Sequence, residues 1–235
     1  MKFPDFLSGP GFNDGNLVHF ECEDVEFSCR LPIIPNYEQR LDALTAKRDF
    51  SKYDTSDWHD GGDCWLYELS RQSWKYEDAI SHDDIAISGL TLTLILDKPE
   101  ANIGNARFNP EEQKKYFVQW FNQNYGANCG YRGERGDYNV AFIGGGVPIG
   151  IKLQSPPEIA QLITPKMMAY ITLNKDLYLM ISFSLDSLHY DNRKNPYSEE
   201  LLHQLKIDLF DEFLSFIQVT YSGEVLNLVE QQAIA

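Results

Sequence analysis

Little in this sequence is basic. Its 235 residues carry 35 Asp and Glu against 20 Lys and Arg, a formal net charge of −15. Binding a phosphate backbone needs a basic stripe, because counterion release drives it. The one compact basic spot, Arg132 to Arg135, is half neutralised by Glu134 and Asp137. Nucleic acid is therefore not an expected partner, nor is an anionic membrane surface. Long apolar runs are missing too. No window approaches the roughly 18 apolar residues of a spanning helix. The stretch Met1–Phe6 has no signal-like apolar core. The expected location is the cytoplasm. Cysteine is scarce, at Cys22, Cys29, Cys64 and Cys129, and no pair has metal-knuckle spacing. Cys22 and Cys29 stand where a hairpin could join them, but without an export signal they read as reduced, buried thiols. Internal repeats, low-complexity tracts and flexible linkers are also absent.

Apolar residues make up 43% of the chain and aromatics 13%, enough for a sizeable core. That excludes wholesale disorder, which needs low hydrophobicity together with high charge. The acid is unevenly placed. Residues 1–100 hold 20 Asp and Glu against 9 Lys and Arg, and residues 101–235 hold 15 against 11. A lopsided negative field favours a basic protein partner.

Alternation marks the strands. Val18, Phe20 and Cys22, then Val25, Phe27, Cys29 and Leu31, predict a hairpin turning at Glu23 and Asp24. A short helix is expected from Tyr37 to Ala46, then a long exposed loop up to Asp63, a length that usually serves a function. Trp65, Tyr67 and Leu69 begin a strand ending near Trp74. Ile85 to Leu96 is a long strand with Leu90, Leu92, Leu94 and Leu96 on one side. Asn109, Pro110, Glu111 and Glu112 start a helix running toward Gly126, with Asn as cap and the acids complementing the dipole. A hairpin is expected around Gly144–Gly146. The clearest sheet signal is Tyr170 to Leu173, a turn at Asn174–Asp176, and Leu177, Leu179, Ile181, Phe183 and Leu185 on one face. A last helix carries Leu201, Leu205, Leu209, Phe213 and Ile217 in a stripe, followed by a loosely held tail over about 223–235. The pattern predicts an α+β fold, a curved antiparallel sheet with helices packed on one face, as a single domain over 1–235. Only the charge shift favours a break near residue 100.

Four motifs bear on chemistry. Asp60, Gly61, Gly62, Asp63, Cys64 and Trp65 form a segment that resembles the nucleophile region of papain-like and transglutaminase-type cysteine hydrolases. That resemblance implies a thiolate at the start of a helix, activated by a histidine such as His59, His82 or His189. Here Cys64 leads into strand-like alternation, and Asp63 would raise its pKa, so a structural cysteine is favoured. His59, Asp60, Asp63, His82, Asp83 and Asp84 have the residue types of a metal site but match no ligand spacing, and aspartate is common in turns. The glycines of Gly144–Gly150 lack the following helix that a dinucleotide loop requires. His189, Tyr190 and Asp191 lack a Gly-x-Ser-x-Gly elbow to serve. No catalytic residue, metal or cofactor is expected.

The acidic loops remain, either as a solvated face or as a contact surface. Carboxylates interleaved with tryptophan and tyrosine make hot spots for a basic protein partner. The residues expected to bind it are Tyr53, Asp54, Asp57, Trp58, Asp60, Asp63, Trp65, Glu77, Asp78, Asp83 and Asp84. Through the sheet run Tyr170–Leu185, the segment Tyr53–Trp65 and its acidic α+β profile, the chain resembles immunity proteins that protect bacteria from interbacterial toxins, such as those of type VI secretion. The resemblance implies a stoichiometric inhibitor of a cognate toxin. Two other readings are a Cys64 hydrolase and an adaptor or chaperone for a secreted effector. The helix from 109 and the last helix each offer a face for a homodimer.

Overall fold

The computed structural model describes residues 7–22, 24–34, 58–99, 103–109, 111–113, 115–116, 139–143, 150–154, 167–188 and 197–234. Tyr53, Asp54 and Asp57, the helix expected from Tyr37, the turn at Gly144–Gly146, Arg132–Arg135, Cys129 and His189–Asp191 lie outside them. The described strands are β1 (Leu7–Ser8), β2 (Asn16–Cys22), β3 (Val25–Leu31), β4 (His59–Asp60), β5 (Cys64–Asp78), β6 (Asp84–Asp97), β7 (Asn139–Ile143), β8 (Gly150–Gln154), β9 (Met167–Thr172), β10 (Leu177–Ser187) and β11 (Gln218–Tyr221). A 3₁₀ turn covers Gly104–Phe108, and two helices follow β10, here α1 (Glu199–Ser215) and α2 (Gly223–Ile234).

The larger sheet runs β1-β5-β6-β10-β9-β8-β7, with β4 added to β5. Every pairing in it is antiparallel. It is strongly curled into a half-barrel, the α+β arrangement expected. A three-stranded sheet, β11-β3-β2, completes the fold.

The main core lies on one face of the large sheet. Leu90, Leu92, Leu94 and Leu96 of β6 and Leu177, Leu179, Ile181, Phe183 and Leu185 of β10 point into it, as their alternation predicts. Helix α1 covers them with Leu202, Leu205, Leu209, Phe210 and Phe213, and Phe210 stacks on Phe183 at 5.8 Å. Ser198 caps α1 by accepting the Leu201 N–H. The hairpin β2–β3 adds Val18, Phe20, Val25, Phe27, Cys29 and Leu31 to the same cluster.

Two details depart from the sequence reading. Strand β5 does not end near Trp74 but runs 15 residues to Asp78. A bulge between Glu68 and Ser70 shifts its register against β6. Before it Trp65 and Tyr67 face the core; after it Gln72, Trp74 and Tyr76 do. An extra residue reverses which parity points inward, so simple alternation breaks there. The segment after Gly223, expected to be loosely held, is helix α2, and its Val225 and Val229 are buried in the core. Asp24 holds its first turn, accepting from the Glu224 N–H. Cys29 is the free, buried thiol expected, and it pairs across the hairpin with Val18, not with Cys22.

The other face of the large sheet carries a small second cluster, Ile95, Met168, Tyr170 and Tyr178, with Cys64, Leu66, Tyr116 and Met180 against it. The helix start at Asn109 is as expected, its side chain accepting from the N–H groups of Glu111 and Glu112.

Candidate functional site

Strand register distributes the expected binding residues. β5 and β6 form one long ribbon in which Cys64 lies opposite Asp97, and Glu77 lies opposite Asp84. Trp58, Asp60, Asp63 and Trp65 are therefore at one end, and Glu77, Asp78, Asp83 and Asp84 at the other, about 40 Å along the strand at the usual rise per residue. The two acidic segments form two separate surfaces.

At the far end two of the four carboxylates serve the fold. Asp78 Oδ1 accepts the N–H groups of Ile80 and Ser81 at 2.8 and 2.7 Å, which fixes the β5–β6 turn. Its Oδ2 accepts the Tyr197 hydroxyl at 2.5 Å. These bonds, the Tyr197 bond foremost, lower the Asp78 pKa to about 2. Asp84 is ion-paired with Lys75. Glu77 and Asp83 make no side-chain ion pair among the described residues, and between them Ile80 stands 87% exposed.

The near end is more elaborate. In the β4–β5 hairpin, Asp60 lies opposite Trp65, and Trp65 lies opposite Leu96 of β6. All three positions share the core-side face, and Lys98, two residues beyond Leu96, continues it. The Lys98 ammonium stands 4.4 Å from the Trp65 ring centroid and donates to Asp60 Oδ1 at 2.7 Å. The same oxygen accepts the Gly62 N–H at 2.9 Å. The Lys98 hydrogen bond, then that of Gly62, lowers the Asp60 pKa. Trp58 packs on Tyr67 with ring centroids 5.5 Å apart, extending the aromatic row. Gly62 takes a φ of +88°, a conformation natural to glycine. Asp63 is exposed at the hairpin tip, and its side chain makes no hydrogen bond or ion pair among the described residues.

Cys64 points the other way, to the face of Leu66 and Tyr178. A side chain at Gly61 would press on the Cys64 sulfur and on Leu66, so the glycine lets the hairpin close over the thiol. Burial, then the charge of Asp63, raises the Cys64 pKa. A catalytic thiolate requires the opposite shift. Among the described residues no group of three or more His, Cys, Asp or Glu is arranged to hold a metal ion. His59 and His82 lie at opposite ends of the ribbon, so the six residues with metal-ligand chemistry do not converge.

Beside Cys64 is a feature that sequence patterning gave no reason to select. Arg107, from the 3₁₀ turn, is 1% exposed and paired with Asp97. Its guanidinium lies 4.5 Å from the Tyr178 ring centroid and 5.3 Å from that of Tyr116. Burial lowers its pKa. Thr172 accepts from Gln113 and donates to the Arg107 carbonyl, tying this turn to β9.

Comparison with protein-family models, with curated proteins and with solved structures finds no match to this chain. Among the described residues no helix is long and apolar enough to cross a membrane.

Proposed function

We propose that this protein is a binding protein of the immunity type, which occupies a basic antibacterial toxin in the cytoplasm and neutralises it. The observation that carries the reading is the near end of the β5–β6 ribbon. There the Trp65 ring and the Asp60 carboxylate share one face of a hairpin, with the exposed Asp63 at its tip. Aromatic rings beside fixed charge supply contact area at low entropic cost. The net charge of −15 adds long-range steering of a basic partner. The raised pKa of Cys64 and its position on the opposite face weigh against the hydrolase reading.

The test is a tagged pull-down from the native host at low and moderate salt, read by mass spectrometry, followed by co-expression. The expected result is a stoichiometric basic protein that is toxic alone and harmless beside this chain, with protection weakened by Trp65→Ala. Recovery of no partner, or of this chain alone, overturns the proposal.

A further inference from the structure

Lys98 occupies an unusual position. Its ammonium is held by an indole face at 4.4 Å and by a carboxylate oxygen at 2.7 Å, the two elements by which proteins receive cationic side chains. Its side chain retains 22% exposure and that of Asp60 60%, so the seat opens to solvent. The hairpin itself is held by backbone bonds, Gly61 N–H to the Cys64 carbonyl and Lys98 N–H to the Asp63 carbonyl, each 2.9 Å. The backbone of the hairpin therefore does not depend on the lysine head group, and a second carboxylate, Asp63, stands at the tip of the same hairpin.

We infer that the Trp65–Asp60 seat receives an arginine side chain of a basic protein partner, and that Lys98 is a built-in competitor which holds the seat until that arginine arrives. The inference rests on the reading of this face as the docking surface and names its ligand. A guanidinium lies flat on an indole and forks between carboxylates, whereas an ammonium is a point charge. Arginine can thus stack on Trp65 and pair with Asp60, and Lys98 swings into water on its flexible stem. Exchanging one cation for another leaves Asp60 paired throughout, so no buried or half-buried charge is stranded. A neutral side chain has nothing with which to replace Lys98, so the competitor also filters partners.

The experiment titrates a five-residue peptide, Gly-Arg-Gly-Arg-Gly, and its lysine counterpart into the full-length protein. Binding is read by calorimetry and by the Trp65 indole N–H resonance. The wild type is expected to bind the arginine peptide weakly. Lys98→Met, which keeps the stem and removes the competitor, is expected to bind it about tenfold more tightly. The lysine peptide should bind more weakly than the arginine peptide to both proteins. Asp60→Asn in the Lys98→Met background should abolish the gain, and Glu200→Gln, exposed on α1, should leave it unchanged. Lys98→Gln provides the same contrast should the methionine variant fail to fold. Equal affinity of wild type and both Lys98 variants, or a Trp65 resonance that does not move on binding, overturns the inference. Toxin neutralisation that survives such a result would leave the immunity reading standing. A tenfold gain with no toxin partner in the host would support the seat and sink that reading.

Discussion

The Tyr197 hydroxyl donates to Asp78 Oδ2 across 119 residues of sequence. It joins the start of α1 to the turn between β5 and β6, so one carboxylate fixes a turn with one oxygen and a helix entry with the other. The Asp78 pKa is lowered to about 2, so the bonds favour the charged carboxylate. Their contribution is complete above the ordinary aspartate range, near pH 4, and is lost as pH falls toward 2. Asp78→Asn should be less stable than wild type at pH 6. The gap should close between about pH 4 and pH 2, read from urea midpoints at each pH. A gap that stays constant across that window would show that the carboxylate charge contributes nothing.

Among the described residues, the buried Arg107–Asp97 pair leaves Asp97 Oδ1 and Arg107 Nε and Nη1 without hydrogen-bond partners. Removing one member strands the other charge. Arg107→Met alone should cost about 3–5 kcal/mol in urea unfolding. The double variant Arg107→Met with Asp97→Leu should recover most of that loss, because apolar residues of similar size replace a buried pair at little cost. Additive losses in the double variant would show that the two side chains contribute independently and that a stranded charge does not explain the single-variant loss.

Lys206 is buried on α1 at 3% exposure, and burial lowers its pKa to about 8, with Asp186 opposing the shift. The unfolded chain holds this proton more tightly, so the ammonium costs stability below pH 8. That cost fades as pH rises from about 8 toward 10.5. Lys206→Met should therefore stabilise the protein at pH 7 by about 1–3 kcal/mol, and by less at pH 9.5. Thermal unfolding at the two pH values decides it; an equal gain at both would refute the linkage.

Cys64 is covered by the hairpin and its thiol is raised in pKa. Alkylation by iodoacetamide at pH 7.5 should be slower than that of a free cysteine peptide. Cys64→Ala should retain full toxin protection in cells. Rapid labelling together with loss of protection would return the cysteine reading to first place.

The sequence made the regular strands legible. Hairpin β2–β3, the leucine row of β6 and the β9–β10 turn, where Asn174 Oδ1 accepts the N–H groups of Asp176 and Leu177, follow their period-two pattern and turn residues. Strand β5 was only half legible. The bulge by Leu69 moves the inward set from Trp65 and Tyr67 to Gln72, Trp74 and Tyr76, and a pattern that changes phase looks like a strand that has stopped. Among the described residues, the unbroken length of β5 sets the acidic residues at 60–63 apart from those at 77–84.

The candidate site was legible as Asp60, Asp63, Trp58 and Trp65, but not as a seat for a cation. Lys98 belongs to it through the β5–β6 register, which puts Leu96 beside Trp65 and Lys98 next along the same face. That register is a long-range property, and counting along the chain does not reveal it. Arg107 had no signal at all. A lone arginine in a short turn carries no periodicity, and its burial depends on partners from β6, β10 and the helix start at Asn109.

The extra residue at Leu69 has one more consequence. It makes the ribbon two half-strands joined out of step, each reading its own alternation from its own end. Excising a single residue there would force the halves into one beat. Either Trp65 would turn its ring away from Lys98, or Trp74 and Tyr76 would be expelled from the interior. The kink is the joint that allows one strand to pack a core along one half and present a charged aromatic tip with the other.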